Sequence, residues 1–252
     1  MKRGIVLFCM ILSVVAVSQT VEEHLTQGDV AYDANDNDTA LNHYLAAFEL
    51  DNTNCEAAWK ASRSYADRGD AQDDKDSRLE NFELAEEYAR TAITLCPDND
   101  MAHLSLSIAI GRVALMSGKK EQVQLSQTVK DEAEKAIELN SDNDIAHHVY
   151  ARWHRKVATL SGISKTFAKI LYGGLPPASL DKAVEHFQKA IELKPDHINH
   201  HLELGITYEE MGEWAKAKTQ YEKVAALPAK ANMDPKYKAD AAERLVNVEK
   251  KI

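Results

Sequence analysis

Residues 180–228 constrain the fold more than any other part of the chain. The first part of this stretch places apolar or small residues on one face of a helix and stops at Pro195. A second periodic run covers 201–208, and after a glycine-containing turn a third covers 214–227. Two apolar helical faces joined by a short turn predict a pair of antiparallel helices that pack against each other.

Five positions of this stretch have the spacing and residue type of the tetratricopeptide repeat (TPR) signature: Leu204, Gly205, Tyr208, Ala217 and Tyr221. The small side chains let the two helices approach closely, and the aromatic rings fill the space between them. The chain therefore resembles TPR proteins in this region.

The same offsets recur along the chain, which predicts an array of repeats. Ala183, Phe187, Ala190 and Pro195 have counterparts at Ala85, Ala89, Ala92 and Pro97, at Val129, Ala133, Ala136 and Ser141, and at Ala40, Tyr44, Ala47 and Asn52. We expect an all-α protein, a right-handed α-solenoid of about five TPR-like hairpins with a C-terminal capping helix. The repeat domain is predicted at 19–252, with units at about 21–54, 55–99, 100–143, 144–197 and 198–231 and a terminal helix at 235–252.

Three units are longer than the usual TPR length. Residues 67–76 are a polar, turn-rich insertion between the two helices of the second unit, and 117–122 are a polar insertion in the third. In contrast, 160–177 is apolar on one helical face. We expect the apolar insertion to be a helix that covers apolar surface, with a lid or partner-docking helix as the alternative. A small-ligand pocket beneath residues 160–177 is a further alternative function.

The N-terminus has the pattern of an export signal. Lys2 and Arg3 precede an apolar run over 5–17, which is followed by small residues. The run is shorter than a membrane-spanning helix, so the sequence predicts a signal peptide at 1–18 and an exported protein, periplasmic or secreted, without stable membrane insertion after signal removal. An uncleaved anchor is the alternative.

The charge balance restricts the class of partner. The formal net charge is −10, and the composition is that of an ordered protein. Such a surface does not favour nucleic acid. The sequence therefore predicts another protein or a peptide as the partner.

A more specific resemblance comes from the second and fourth units. Residues 58–65 and 89–93, together with 158–165 and 171–183, are similar to segments of the regulator of microtubule dynamics family, with matching insertion lengths. This resemblance implies an all-helical, TPR-like interaction protein without enzymatic activity, some animal members of which associate with microtubules. The predicted export signal departs from the family, so a cytoskeletal adaptor role is kept as an alternative function.

First helices of successive TPR units line a concave groove, and their inner positions here carry several cations. The predicted groove residues are Trp59, Arg63, Leu104, Ile108, Arg112, His148, Arg152, Arg155 and Lys156. A cationic groove attracts anionic ligands, so we expect an acidic or C-terminal-carboxylate peptide, with Trp59 as an apolar anchor. The alternative is that these cations pair with carboxylates of neighbouring helices, including Glu56 and Glu209.

The ten histidines also need an interpretation. His24, His103, His147 and His201 all fall at position 4 of their units, which indicates a repeated structural position between paired helices. His148 and His200 remain as a candidate zinc pair, but no metal-binding motif supports it, and we predict no metal site. The acidic segment 33–38 lacks the glycine and final glutamate of a calcium loop and is interpreted as an inter-helix turn.

No sequence pattern of an enzyme is present. The chain has no glycine-rich phosphate loop, no G-x-S-x-G motif and no C-x-x-C motif. We therefore predict a non-enzymatic protein that needs no cofactor.

Two cysteines follow the N-terminal apolar run. Cys55 opens the first helix of the second unit and Cys96 closes its second helix. These two ends meet in an antiparallel hairpin, so an exported protein is expected to form a disulfide there. Two free thiols are the alternative.

Overall fold

The computed structural model describes residues 19–160 and 177–252, together with residues 162, 166 and 169. Within these residues the regular structure is entirely helical. The eleven helices are α1 Val21–Asp33, α2 Asn37–Leu50, α3 Cys55–Ala71, α4 Lys75–Leu95, α5 Asp100–Met116, α6 Lys119–Leu139, α7 Asp144–Ala158, α8 Leu180–Leu193, α9 Ile198–Met211, α10 Trp214–Ala226 and α11 Asp234–Glu249. None of these helices is long and apolar enough to cross a membrane.

The asparagine-rich turns between units set where the first helices begin. Asn54 accepts a hydrogen bond at its side-chain oxygen from the Ala57 N–H, before α3. Asn99 and Asn143 cap α5 and α7 in the same way. Each asparagine satisfies one of the backbone donors that a helix start leaves unpaired, which fixes the start of these three units.

Successive helices pack as hairpins, in the order α1 with α2, α3 with α4, α5 with α6, α7 with α8 and α9 with α10. The first helices of neighbouring hairpins also touch, since α3 contacts α5, α5 contacts α7 and α7 contacts α9. These first helices form one continuous layer. The terminal helix α11 packs on α10 and α9.

The repeated small and aromatic residues lie in the core, which confirms the predicted all-α repeat fold. The residues with no solvent exposure include Ala40, Tyr44, Ala47, Ala85, Ala89, Ala92, Ala133, Ala136, Ala183, Phe187 and Ala190. Only alanine fits where two helix backbones approach closely, and the larger rings fill the wider gaps. The offsets found in the sequence are therefore packing positions.

Close glycine–aromatic contacts join the two helices of three hairpins. A Cβ atom added to Gly205 would lie 2.4 Å from Cε1 of Tyr221, and one added to Gly28 would lie 2.4 Å from Cε1 of Tyr44. Gly69 approaches the ring of Phe82 in the same way. The first helix thus uses a glycine to admit a ring from the second helix.

The two polar insertions are mostly helical, which for 67–76 differs from the expected turn-rich segment. Helix α3 continues to Ala71 and α4 begins at Lys75, so only 72–74 separate them. Residues 119–122 likewise form the start of α6. Charged and amide side chains suit an exposed helix face as well as a loop. The prediction for the apolar insertion, 160–177, falls largely outside the described residues.

Candidate functional site

The predicted groove residues lie on α3, α5 and α7, and we call the surface formed by these three helices the inner wall. Trp59, Arg63, Ile108, Arg112 and Arg152 are partly exposed on it, and Lys156 is exposed. The side chains that the structure buries instead are Leu104, His148 and Arg155. These three side chains support the wall from inside and offer little free surface to a ligand, so they are left out of the contact surface proposed below.

At the middle of the inner wall, Arg112 of α5 pairs with Asp70 of α3. Its Nη2 lies 2.6 Å and its Nε 2.9 Å from Oδ2 of Asp70. Arg78 lies 3.9 Å from the other oxygen of the same carboxylate. Asp70 therefore neutralises the charge of Arg112 and joins two hairpins across their interface.

A second ion-pair network joins α7 to α9. Oε2 of Glu203 accepts a hydrogen bond from Nη2 of Arg155, and Nε of Arg152 lies 3.3 Å from its other oxygen. Arg155 also contacts Glu210 at 3.1 Å. Burial opposes ionisation of Glu203, but the charges of Arg152, Arg155 and Lys156 lower its pKa. The network keeps this buried carboxylate charged.

At the N-terminal end of the inner wall, Arg63 lies between aromatic rings. Its guanidinium carbon is 3.5 Å from the ring centre of Tyr32 and 5.3 Å from that of Trp59. Its Nη2 donates a hydrogen bond to the hydroxyl of Tyr44 at 3.3 Å. No carboxylate oxygen of the described residues lies within the 4 Å of a salt bridge to Arg63, so stacking and one neutral hydrogen bond hold this cation.

The neighbouring carboxyl group of Asp67 accepts a hydrogen bond from the Tyr32 hydroxyl at 3.0 Å. Burial raises the pKa of Asp67 to about 6, and this effect outweighs the lowering by the Tyr32 hydrogen bond and the charge of Arg63. The charge of this end of the inner wall therefore becomes more positive as the pH falls through about 6.

The alternative interpretation, in which the arginines pair with carboxylates, describes part of the inner wall. The carboxylates that pair with these arginines are Asp70, Glu203 and Glu210. The two carboxylates named from the sequence pair elsewhere, Glu56 with Lys60 and Glu209 with Arg244. Three of the five predicted cations are thus compensated within the fold: Arg112, Arg152 and Arg155.

The four position-4 histidines connect the helices of their hairpins. His147 Nδ1 lies 2.9 Å from Nδ1 of His186 on the second helix, and its Nε2 lies 3.0 Å from the Ser141 carbonyl oxygen in the preceding turn. Equivalent ring contacts join His103 to Glu132 and the Pro97 carbonyl, His201 to Gln220 and the Pro195 carbonyl, and His24 to His43. An imidazole can bond at both nitrogens at once, which suits a position between a turn and a helix.

The candidate zinc pair belongs to a buried polar cluster. Nδ1 of His148 lies 2.9 Å from Nδ1 of His200, and Nε2 of His200 lies 2.9 Å from Asp144. Burial lowers the pKa of His148 and of His200, and it lowers the pKa of His197 to about 4. In the part of the chain that the structure describes, no group of three or more metal-ligating side chains is arranged around a common centre.

The two cysteines lie side by side where α3 begins and α4 ends. Their Cα atoms are 6.1 Å apart and their sulfur atoms are bonded in the structure. This distance is normal for a disulfide. The formation of the bridge in the protein's own compartment stays a prediction, to be tested by counting thiols.

Several residues next to the inner wall were missed from the sequence. Groove residues were predicted at positions 2, 5, 9, 12 and 13 of a unit, and this rule applied to the first and fifth units would have found Tyr32 at position 12 and Glu210 at position 13. Glu203 lies at position 6, outside that rule. Tyr237 comes from α11, and no repeat pattern places it near the inner wall.

The packed hairpins and their partly exposed inner wall define this chain as a helical repeat scaffold of the TPR class. A thermophilic TPR protein of Thermus thermophilus shares the fold, with a TM-score of 0.66 and 18% identity over 90% of this chain and 100% of that one. At this identity the similarity concerns the fold alone.

The chain belongs to the regulator of microtubule dynamics family, since residues 24–249 match the family profile described as Regulator of microtubule dynamics protein 1-3. Regulator of microtubule dynamics protein 1 of Mus musculus is 28% identical over 240 residues, 94% of this chain and 77% of the relative. Protein 2 of the same organism is 25% identical over 183 residues, 69% of this chain and 45% of the relative. The chain thus matches less than half of the length of protein 2.

The expectation of an exported, periplasmic or secreted protein is wrong. It depended on residues 1–18, which lie outside the described residues. The family and its relatives are named for the regulation of microtubule dynamics, and microtubules are polymers of the cytoplasm. The disulfide was predicted because an exported protein works in an oxidising compartment, so that argument no longer holds.

Proposed function

We propose that this chain is a non-enzymatic protein-interaction scaffold and that its inner wall binds an extended segment of a partner protein. The TPR-class fold and the family support this function. The observation that carries it is the inner wall itself, where Trp59 and Ile108 offer apolar surface beside the partly exposed Arg63, Arg112 and Arg152. Apolar anchors next to arginines are typical of protein-binding surfaces.

The charges of the inner wall favour an acidic partner segment. Arg63 and Lys156 are the two cations of the predicted set with no carboxylate of the described residues at salt-bridge distance. Desolvation and the neighbouring Arg155 and Arg152 lower the pKa of Lys156, so a partner carboxylate would stabilise its charged form. The acidic preference therefore comes from the two ends of the wall, and the compensated middle contributes little.

The spacing of the helices sets the length of the segment. Arg63 lies on α3 and Lys156 on α7, with α5 between them. Packed helices are about 8–10 Å apart, so the two cations are separated by about 20 Å. An extended chain covers this distance with about six residues. We expect the best ligand to carry acidic residues at both ends of such a segment and an apolar residue between them.

Peptide binding tests this function. A peptide of about eight residues with glutamates at both ends is titrated beside the same peptide with lysines in their place, at low and at high salt. The double variant Arg63→Gln with Lys156→Gln should weaken the glutamate peptide about fivefold. The control variant Arg90→Gln removes an exposed cation of α4 that pairs with Glu86 of the same helix, and it should bind as the unaltered protein does.

The outcomes distinguish two questions: whether the inner wall binds a peptide at all, and whether it prefers an acidic one. Equal binding of both peptides would remove the acidic preference and leave a scaffold that selects by apolar contacts. No binding of either peptide, at concentrations where the protein stays folded, would contradict the inner wall as a peptide site.

The family supports a second candidate function, in which the partner is the microtubule. The relatives are named regulators of microtubule dynamics, and this chain would act on the same polymer. Because its net charge is −10, attraction of the whole surface to an acidic polymer is not expected, and the inner-wall cations would make the contact. Co-sedimentation with microtubules tests this, and protein that stays in the supernatant at every tubulin concentration would argue against it.

A further inference from the structure

Arg63 and Asp67 carry opposite charges on the same helix but form no ion pair. They lie four residues apart on α3, a spacing at which opposite charges on a helix face can reach each other. In the part of the chain that the structure describes, no carboxylate oxygen comes within 4 Å of a nitrogen of Arg63. Its Nη2 donates one hydrogen bond, to the Tyr44 hydroxyl at 3.3 Å, and its Nε is buried without a partner. Most of the five N–H donors of this guanidinium are therefore free of protein acceptors.

Tyr32 of α1 contacts both of these charged groups. The guanidinium carbon of Arg63 lies 3.5 Å from the centre of the Tyr32 ring. The hydroxyl of the same side chain donates a hydrogen bond to Oδ2 of Asp67 at 3.0 Å. Tyr32 thus stacks on the cation and binds the anion, and the two charges are held apart although their positions on α3 would let them meet.

Asp70 shows what a carboxylate on the same helix does without such a hydroxyl. It lies three residues beyond Asp67, and its Oδ2 is 2.6 Å from Nη2 and 2.9 Å from Nε of Arg112. Its other oxygen lies 3.9 Å from Arg78. Within residues 19–160 and 177–252, the contacts of this carboxylate are with arginines. Asp70 therefore occupies the donors of Arg112 that a ligand would need.

A carboxylate of a partner segment would compete with Asp67 for Arg63. The strongest contact is bidentate and uses two N–H groups of one guanidinium, so a single arginine offers one such contact on each side. Asp67 belongs to the same helix as Arg63, whereas a partner segment loses translational freedom on binding. Direct pairing with Asp67 would therefore lower the affinity for an acidic segment, and the Tyr32 hydroxyl opposes that pairing.

We propose that Tyr32 is a positioning residue that determines the preference of the inner wall for acidic partners. Its hydroxyl holds Asp67 and its ring holds Arg63, so the guanidinium stays available to a partner carboxylate. Tyr32 acts through Arg63 and needs no contact of its own with the partner. This inference rests on the proposed peptide-binding function and deepens it, because it names the residue that controls the charge preference.

The substitution Tyr32→Phe tests the hydroxyl alone, since it keeps a ring over Arg63. Burial raises the pKa of Asp67 to about 6, so the measurements are made at about pH 8, where this carboxylate is charged. The double variant Tyr32→Phe with Asp67→Asn also removes the competing charge. The matched control is Tyr150→Phe, which removes a hydroxyl of α7 that donates to Glu134 of α6, away from Arg63.

Two measurements separate the positioning of Arg63 from peptide binding. The first needs no peptide: folded protein is treated with phenylglyoxal, which reacts with guanidinium groups, and the modified arginines are identified by mass spectrometry. Arg112, which is paired with Asp70, is the reference within each sample. The second measurement is the affinity for the glutamate peptide.

We expect Tyr32→Phe to slow the modification of Arg63 relative to Arg112 and to weaken the glutamate peptide about two- to threefold. The double variant should restore both values, and the control should change neither. This pattern would support the positioning role, because a general loss of packing would not be repaired by Asp67→Asn.

The contrary results are distinct. Unchanged modification of Arg63 in Tyr32→Phe would overturn the positioning role, whatever the peptide does. Slower modification with unchanged affinity would overturn the effect on the charge preference, and so would a loss of affinity that Asp67→Asn does not repair. If the unaltered protein does not bind the peptide although modification changes as expected, the proposed peptide site is refuted and the charge preference with it, whereas the arrangement around Arg63 is supported.

Discussion

Substitution of Gly205 by alanine tests whether the glycine–aromatic contact determines the packing of a hairpin. An added Cβ would lie 2.4 Å from Cε1, 2.9 Å from Cδ1 and 3.0 Å from Cζ of Tyr221. Ordinary contacts begin at about 3.4 Å, so the ring would have to move by about 1 Å. Tyr221 has no solvent exposure, so its ring is enclosed by the core. The second helix must therefore shift or the ring must leave its rotamer.

The magnitude is the difference of two opposing effects. Overpacking of a filled core costs about 1–3 kcal/mol, whereas replacing a mid-helix glycine by alanine contributes about 0.5–1 kcal/mol. We expect Gly205→Ala to lower the free energy of unfolding by about 1–2 kcal/mol. For a domain of this size, that loss lowers the melting temperature by about 2–8 °C.

Gly111 provides the matched control. It lies in the middle of α5, and the nearest atom to an added Cβ is Cγ2 of Val129 at 3.9 Å. Gly111→Ala should therefore gain the helix preference alone and raise stability by about 0.5–1 kcal/mol. Urea and thermal denaturation followed by far-ultraviolet circular dichroism measure both variants. Equal or greater stability of Gly205→Ala would refute the argument, as would a similar loss in Gly111→Ala.

Three further predictions follow from charges and covalent links. Burial lowers the pKa of His154 and His197 to about 4, whereas an unfolded histidine titrates near 6.5. Between these pH values the unfolded chain binds protons at these histidines that the folded chain does not, so going from pH 7 to pH 5.5 the two groups should cost about 2–3 kcal/mol. Protonation of Asp67, whose folded-state pKa is raised to about 6, offsets a smaller part of this loss. The net loss is measured as a fall in the urea midpoint. Arg155→Ala should lower the free energy of unfolding by about 3 kcal/mol, because it leaves the buried carboxylate of Glu203 with less compensating charge. Urea denaturation measures this loss. A loss of about 0.5 kcal/mol or less, as for an exposed i,i+4 ion pair, would contradict the network. Thiol titration of denatured, non-reduced protein should find neither Cys55 nor Cys96 reactive if the bridge forms, and two reactive thiols would refute it.

The repeat packing could be predicted because it depends on local periodicity. Ala85, Ala89 and Ala92 have the same offsets as Ala183 and Ala190, and all of them are buried. A helix pair needs small residues wherever its backbones approach, so the sequence must repeat when the geometry repeats. The apolar spacing and the glycine positions contain this information.

Helix ends and charge partners were harder to predict. The polar stretch 67–76 was expected to be a loop, yet only 72–74 lie outside helices. The arginines of the inner wall were identified, but the partners Asp70 and Glu203 were not. These pairs depend on the rotation of one first helix against the next, which no periodic pattern in a single helix specifies.

The contact of Asn35, in the turn between α1 and α2, with Lys230 and Asn232, in the loop before α11, lay beyond sequence reasoning. These partners are 195 and 197 residues away along the chain. Two surface asparagines and a lysine have no distinguishing pattern, since such residues occur in most turns. Only the accumulated curvature of all five hairpins brings them together.

That curvature has a consequence for how this chain could change in length. Each added hairpin would carry the chain end past the first turn by roughly the 8–10 Å width of a packed helix, farther than any hydrogen bond reaches. A deletion would leave a gap of the same size. The contact between the first turn and the last loop therefore requires the present number of repeats. Loss or gain of one unit would convert a closed ring into an open coil.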